Sequence, residues 1–399
     1  MLDYNQALQD LLSMVDVQDK TQDVELYDAI NLILAEAVTA QYDSPLFSNS
    51  AMDGYALGSD SEQSTHWEIV DRVIAGDNVE HIHLREGQAA RIFTGAPIPI
   101  GTVTVVQQEL CQVENSILTV TKSIKKGQNI RQKGEEFQKN ASLLQKGQKL
   151  NPAIISIIAS QGYSQIKTFK PLNIVVFSTG NELIDQKTPL TLGKIYDANR
   201  FMLLNWLKQL RHHIIDGGIL PDNAERTEQA LLKASQSADI IITSGGVSVG
   251  EEDHVLNTVK KIGEMVFWKL AIKPGKPFAW GKIKKSKIFM LPGNPVSSLV
   301  TFQQLVVPAL RVIAGESVEK SMPNYLMAKA DFVFNKAHGR REFLRVHLYP
   351  KDDGLHVKKA SHQGSAMLAA LIDSNALAEI PPNTIVSEND LVKVYPLTY

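Results

Sequence analysis

The spacing of apolar residues predicts two helices at the start of the chain. Tyr4, Ala7, Leu8, Leu11 and Leu12, and then Leu26, Ala29, Ile30, Ile33, Leu34 and Ala37, recur at i, i+3, i+4 and i+7, which lays one apolar stripe along each segment. From about 41 to 150 the pattern changes to short alternating runs, HWEIVDRVI and ILTVTKSI among them, broken by Gly and Pro, and this predicts a β-rich insertion. Asn151 and Pro152 suit the cap and first position of a helix through ISIIAS that stops at Gly162. From about 171, buried-type strands (NIVVF, HHIID, ADIIIT, KIFML) alternate with helical segments (RFMLLNWLKQL, ERTEQALLKASQ, SSLVTFQQLVVPAL), the signature of a parallel sheet covered on both faces. After Gly315 short alternating strands return (MAKADFVF, FLRVHLY, LVKVYP), with a turn at Lys351-Asp-Asp-Gly354. The expected architecture is a multidomain α/β chain. It has an N-terminal helical linker region from 1–40 and 141–170, a β-rich insertion over 41–140, a doubly wound, mostly parallel sheet over 171–315, and a small β-barrel-like domain over 316–399.

Composition narrows the function classes. At 399 residues the chain exceeds one ordinary core. With 41 basic and 43 acidic residues it has no global field that would draw it to nucleic acid or a membrane surface, so any anion site must be local. Cys111 is the single cysteine, which excludes an internal disulfide and a Cys-based zinc site and fits a reducing compartment. MLDYNQALQD does not read as a signal peptide, and apolar runs such as IISIIA are far shorter than a membrane span of about 20 residues. A cytoplasmic protein is the expectation.

In an open parallel sheet, ligands bind beyond the carboxyl ends of the strands. Here those ends share one chemistry. NIVVF runs into Ser178-Thr179-Gly180-Asn-Glu182, ADIIIT into Ser244-Gly245-Gly246-Val-Ser248, KIFM into Leu291-Pro292-Gly293-Asn-Pro295, and the second strand into Pro221-Asp222-Asn223. Glycines allow close backbone approach, hydroxyls add donors, and helix N-termini follow; together they read as an anion cradle. Glu182, Asp222, Glu251, Glu252 and Asp253 punctuate the same loops, and beside bound phosphates they call for a hard divalent cation, Mg²⁺ being the natural one. Lys269, Lys273 and Lys276 follow in WKLAIKPGKP and could neutralise an oxyanion. Plainer readings exist for each piece: Ser248-x-x-Glu251 is a capping box, and lysines in a Pro-Gly turn usually face water. Gly246-Val-Ser248-Val-Gly250 also matches the nucleophile elbow of serine hydrolases, but Ser248 comes several residues past the strand and three acids, Glu251, Glu252 and Asp253, would oppose an oxyanion there. No P-loop and no G-x-G-x-x-G after a strand is present, and His81-Ile-His83 reads best as a solvated strand face.

With those residues laid out, the chain resembles the molybdopterin molybdenumtransferases and the related C-terminal domain of gephyrin. The resemblance spans nearly the whole chain through Asn49-Ser-Ala-Met-Asp53-Gly-Tyr-Ala, Arg91-Ile-Phe-Thr94-Gly-Ala-Pro, Gly127-Gln-Asn-Ile-Arg131, Ser178-Thr-Gly-Asn-Glu182-Leu, Thr243-Ser-Gly-Gly-Val-Ser-Val-Gly-Glu-Glu-Asp253, Lys273-Pro-Gly-Lys-Pro and Leu291-Pro-Gly-Asn-Pro-Val. It implies an enzyme that takes adenylated molybdopterin and molybdate, splits off AMP and leaves molybdenum on the dithiolene, with Mg²⁺ as the ion. It also implies a homodimer in which the loops bearing Asp53 and Thr94 close over the partner's α/β domain, and an adenylyltransferase that supplies the substrate. On the same ground Glu182, Asp222 and Asp253 would hold the cation, Lys273, Lys276, Arg345 and Ser365 would receive molybdate, with Arg340 and Arg341 as rivals of Arg345, and Pro292 and Pro295 would shape the pocket. Ser48, Asn181 and Glu136 stand where the family commonly has Asp. The gephyrin relation offers a second reading, a non-catalytic dimeric scaffold for peptides; hydrolysis through Ser248 is a third.

Overall fold

The computed structural model describes residues 1–59, 64–220, 223–247, 254–336 and 339–397. The chain divides into two compact units, one formed by Met1–Glu36, Gly147–Pro152 and Gln165–Tyr399, the other by Ala37–Lys146 and Ala153–Ser164.

In the first unit the opening helix, Tyr4–Met14, forms as the periodicity predicts. Asp3 caps it by accepting the Asn5 and Gln6 N–H groups, and the stripe of Tyr4, Ala7, Leu8, Leu11 and Leu12 is buried. The second predicted helix does not form. Only a single turn, Leu26–Asp28, is helical; Thr21–Glu25 pairs antiparallel with Gln165–Phe169, and the following segment runs extended, with Ile33 bridging Lys149 and Leu34 bridging Thr168. Leu32, Ile33, Leu34 and Ala35 are all buried in succession. Burial from both sides favours an extended chain over a helix that would bury only one stripe, so tertiary packing overrides a weak periodic signal.

The α/β sheet has the strand order His213–Leu220, Asn173–Thr179, Ile240–Ser244, Ser286–Leu291, Pro277–Ile283, Glu264–Lys269. The first four are parallel and the last two form an antiparallel edge. Alternation sends Ile174, Val176, Ile240, Ile242 and Phe289 into one core and Val175, Phe177, Ile241, Ile288 and Met290 into the other, as expected of a sheet covered on both faces. Helices Asn199–Gln209, Ala224–Ala234 and His254–Ile262 accompany it. The helix Pro295–Ile313 is long and apolar enough to cross a membrane, but it is 94% buried inside the protein, which accounts for its apolarity. Its middle, Phe302–Val306, widens to a π-turn, with Val307 N–H donating to the Phe302 carbonyl. Pro308 lies just beyond and cannot supply the next α-helical donor.

The C-terminal strands close a ring. Arg341–Lys351 pairs with Gly354–Lys359 over one half and with Ala376–Ile380 over the other, and Leu326–Ala330 and Leu391–Pro396 complete the circuit. Ile272–Lys273 adds to the edge of this barrel through Arg341 and Glu342, so Lys273 sits on the barrel although it belongs to the α/β stretch in sequence.

A polar network around buried His356 fastens the barrel. His356, 2% exposed, meets Asp331 at Nδ1 and Asp353 at Nε2, both at 2.8 Å; Tyr349 and Lys351 also bind Asp331, and Lys329 binds Asp353 at 2.6 Å. The hydrogen bonds from Lys329 and His356 hold the Asp353 carboxyl down at about 2, against 3.8 for the free group. Because the folded carboxyl ionises at lower pH than the unfolded one, its contribution to stability is complete above pH ~4 and is lost as pH falls towards ~2. Thermal unfolding followed across that range should show the midpoint falling in the wild type, and Asp353→Asn should flatten that part of the profile.

The second unit is built on a sheet in the order Thr104–Gln107, Gly54–Leu57, Gln88–Ile92, His66–Val73, Ile117–Val120, Cys111–Glu114, which is the β-rich insertion expected. Trp67 is buried and donates Nε1–H to Ser59 Oγ at 2.8 Å. The helix Pro152–Ser160 begins at Pro152 and ends before Gly162, as the sequence predicts. His81 and His83 are exposed on either side of buried Ile82, a solvated face.

Candidate functional site

Ser178, Ser244 and Leu291 occupy one register line across three neighbouring parallel strands, at their carboxyl ends. Alternation puts all three on the same face of the sheet, so the loops that follow leave from one place. Gly245 N–H donates to the Leu291 carbonyl at 2.9 Å, which joins the second loop to the third. Gly245 has φ +93°, and a Cβ there would lie 2.7 Å from the Thr179 carbonyl oxygen, so only glycine lets the first two loops meet. A Cβ built on Gly293 would in turn come within 3.8 Å of the Gly245 Cα. Thus Ser178, Thr179, Ser244, Gly245 and Gly293 form one compact group, with Gly246, Pro292 and Pro295 on the same loops. Since the Gly245 N–H is taken by Leu291, this glycine serves by close approach and not as a donor to a ligand. Ser178 is fully buried, and among the described residues its Oγ has no hydrogen-bond partner. Glu182 is exposed and folds its carboxylate over Gly180, where a Cβ would be 2.4 Å from Oε2.

The cationic candidates approach from two directions. Ser365 accepts the Val296 N–H through its carbonyl at 3.0 Å, which sets it at the first turn of the helix that follows Pro292, Gly293 and Pro295. Arg345 is 1% exposed and donates from Nη2 to the carbonyls of His362 and Gly364, at 3.0 and 3.2 Å. Burial lowers its pKa to about 10. Arg345 therefore shapes the turn that carries Ser365, and its Nε is left without a partner. Lys273 is ion-paired to buried Glu342 at 3.2 Å. Its loop reaches the helix of Pro295 where Gly275 packs on Thr301. Lys269 and Lys276 are exposed, and their main-chain carbonyls tie down Leu2 and Leu270, at 2.8 and 2.7 Å. Arg341 pairs with Glu379, and its Nη2 lies 3.7 Å from Asp3. Pro221, Asp222, Ser248, Glu251, Glu252 and Asp253 lie outside the described residues. Among the described residues no group of three His, Cys, Asp or Glu side chains is placed to hold a metal ion.

Two residues of this site are not evident from strand-end reasoning. Asn199 Nδ2 donates both to Ser244 Oγ at 2.8 Å and to the Gly293 carbonyl at 2.7 Å, while its Oδ1 is buried without a partner among the described residues. Next to it, Arg200 is 2% exposed and bonds Asp197, Asp216 and Asp185. These carboxylates hold its guanidinium charged against the burial that would discharge it. The sequence signal was Asp197-Ala-Asn199-Arg200, a polar run opening an apolar helix. Asn199→Ala should lower the free energy of unfolding by about 1–3 kcal/mol, the scale of two lost hydrogen bonds; urea unfolding would check it.

In the second unit three of the quoted motifs interlock. Ser50 N–H donates to Ala96 O at 2.9 Å, Gly95 N–H to Ser50 O at 2.8 Å and Ala51 N–H to Asn129 O at 2.9 Å, while Asn49–Ser50 pairs with Ile130–Arg131. Asp53 and Thr94 are locked together: Asp53 Oδ1 accepts the Thr94 N–H at 2.8 Å and hydroxyl at 2.7 Å. Those two bonds, the hydroxyl first, lower the Asp53 pKa. Arg91 lies over the rings of Tyr55 and Phe93, at 4.9 and 4.8 Å. Nearby, Asn49, Arg131, Glu135 and Glu136 line a cavity of 470 Å³, with Glu136 bound to Ser44 Oγ at 2.7 Å. Ser48 Oγ accepts the Lys133 N–H at 3.1 Å. Asn181 accepts Lys194 Nζ through its carbonyl at 2.5 Å.

Fold and loops together define an α/β protein whose glycine- and serine-bearing loops gather at one rim of the parallel sheet, joined to a β-rich insertion and a closed β-barrel. Residues 2–162 match the MoeA N-terminal region (domain I and II), 175–312 a probable molybdopterin binding domain, and 327–397 the MoeA C-terminal region (domain IV). A molybdopterin molybdenumtransferase from Haemophilus influenzae is 38% identical, covering 100% of this chain and 99% of its own, and one from Nostoc is 35% identical over 97% and 91%. The crystal structure of a molybdopterin biosynthesis moeA protein from Pyrococcus horikoshii superposes with a TM-score of 0.84 at 28% identity, over 99% of this chain and all of that one. The chain belongs to the molybdopterin molybdenumtransferase family.

Proposed function

We propose that the protein is itself a molybdopterin molybdenumtransferase, which takes molybdate and adenylated molybdopterin, releases AMP and yields the molybdenum cofactor, as a homodimer in the cytosol. The observation that carries this reading is the register of Ser178, Ser244 and Leu291, with Asn199 tying the second and third loops at the strand ends. Full-length similarity to relatives bearing that name supports it.

In this reading Ser178, Thr179, Gly180, Ser244, Gly245, Gly246 and Ser248 seat the phosphates and pterin, while Pro292, Gly293 and Pro295 wall the pocket. Lys273, Lys276, Arg345 and Ser365 receive molybdate, with Lys269 as a further cation that could neutralise an oxyanion. A compact dianion needs converging donors, and Arg345 contributes by holding the 362–364 turn while Lys273 arrives from the barrel edge. The donor set for a cation, Glu182 with Asp222 and Asp253, is all oxygen, which suits Mg²⁺, and the Glu182 carboxylate is exposed over Gly180. When bound, the ion supplies neutralisation of the phosphoanhydride. Asp53 and Thr94, latched to each other on the insertion, act in turnover by excluding water from the site of a partner subunit. The modules of this reading are 1–40 with 141–170, 41–140, 171–315 and 316–399, although Ala153–Ser164 packs with the insertion, and molybdate reception draws on the last two; an adenylyltransferase delivers the substrate.

The test is single-turnover release of AMP from adenylated molybdopterin with molybdate and Mg²⁺ present. Release coupled to formation of active cofactor is expected; intact substrate after incubation with folded protein would refute the reading.

A further inference from the structure

A second cavity, of about 130 Å³, lies at the other end of the α/β sheet. Lys170 and Pro171 precede the strand Asn173–Thr179, and Leu210, Arg211 and His212 precede His213–Leu220, so these residues line the cavity from the amino ends of two neighbouring parallel strands. Leu32, Ile33, Phe169 and Leu210 give it an apolar floor. Lys149, Lys170, Arg211 and Arg311 surround that floor, facing one carboxylate, Glu316. Glu316 is already engaged by Arg311, at 2.8 Å to Nε and 2.6 Å to Nη2. Among the described residues Lys149, Lys170 and Arg211 have no carboxylate partner, so positive charge is left uncompensated around an apolar hollow.

The backbone points the same way. Arg211 has φ +63° at the position after the Leu210 helix cap, where glycine is the usual choice, and Asn31 on the same cavity also has φ +63°. An arginine in the left-handed region stores strain, and strain of that kind gathers where a side chain is wanted for binding. His212 adds a neutral donor: burial first, then His213 and Lys149, push its pKa down to about 4, and its Nδ1 accepts the Leu172 N–H at 3.4 Å, which leaves the proton on Nε2.

We propose that this cavity binds a small organic anion, a carboxylate or phosphate monoester on a compact apolar body, at a site separate from the strand-end loops. Three unpaired cations disfavour a neutral occupant, and the apolar floor disfavours a bare inorganic anion. Asn31, Leu32 and Ile33 line the cavity together with Lys149, which is bridged to Ile33. This site does not depend on the proposed transferase activity.

The test is calorimetric titration of the full-length protein with phenyl phosphate, benzoate, inorganic phosphate and benzyl alcohol. One equivalent of phenyl phosphate or benzoate should bind, inorganic phosphate about tenfold more weakly or less, and benzyl alcohol not at all; the tighter of the two aromatic anions tells phosphate from carboxylate. Lys170→Glu should weaken binding by at least about tenfold. Arg211→Gly should weaken it while raising the thermal midpoint, opposite signs that a merely structural arginine would not give. The His212 ring signals should move during titration, and Lys273→Ala with Lys276→Ala should leave binding unchanged. Absence of saturable binding, equal binding of inorganic phosphate, indifference to Lys170→Glu and Arg211→Gly, or loss with the Lys273 and Lys276 changes would overturn the proposal.

Discussion

Arg200→Met is expected to lower the free energy of unfolding by about 3–5 kcal/mol, the cost typical of stripping one member from a buried ion pair. The Arg200 side chain is 3% exposed and Asp197 is 1% exposed, with Nε and Oδ2 2.8 Å apart. Removing the guanidinium strands the Asp197 carboxylate in the interior, whereas Asp185 and Asp216, 61% and 46% exposed, can turn to water. Asp185 and Asp197 directly follow the short strands Leu183–Ile184 and Ile195–Tyr196, so Arg200 also pins the excursion that carries Glu182. Lysine at this position keeps the charge but not the planar fork, so Arg200→Lys should fall between wild type and Arg200→Met. Urea unfolding measures both variants. A loss under about 1 kcal/mol for Arg200→Met would mean that Asp197 is compensated in some other way.

Asp53→Ala should cut turnover by about a hundredfold, the scale expected when a catalytic loop shifts by about an ångström. Its fold should stay intact, because the carboxylate is exposed and only its two bonds to Thr94 are lost. Thr94→Val keeps the main-chain bond and loses the hydroxyl, so its effect on turnover should be nearer tenfold. Rates of AMP release, read beside thermal unfolding of the same variants, separate a latch from a mere fold defect. Wild-type turnover in Asp53→Ala would remove this loop from the chemistry.

Continuous apolar runs, NIVVF, ADIIIT and KIFML, were legible because a strand buried on both faces leaves few other options, and the loops after them could be named with them. The helix read over 26–37 was not, since its periodicity reflected burial from two sides by Lys149 and Thr168 partners far away in the sequence. The pairing of Ile272–Lys273 with the barrel was equally hidden, because nothing local to Lys273 reports that Glu342 will be its neighbour. Asn199 and Arg200 escaped for a related reason: their partners come from Asp216, Ser244 and Gly293, and only the folded sheet brings these together. Motif resemblance supplied what periodicity could not at Asp53 and Thr94, whose mutual hydrogen bonds span 41 positions.

The most direct measurement is a crystal structure of the protein bound to adenylated molybdopterin. The phosphoanhydride is expected to seat where the loops after Ser178, Ser244 and Leu291 meet. Phosphates bound away from that junction, with these three loops untouched, would contradict it.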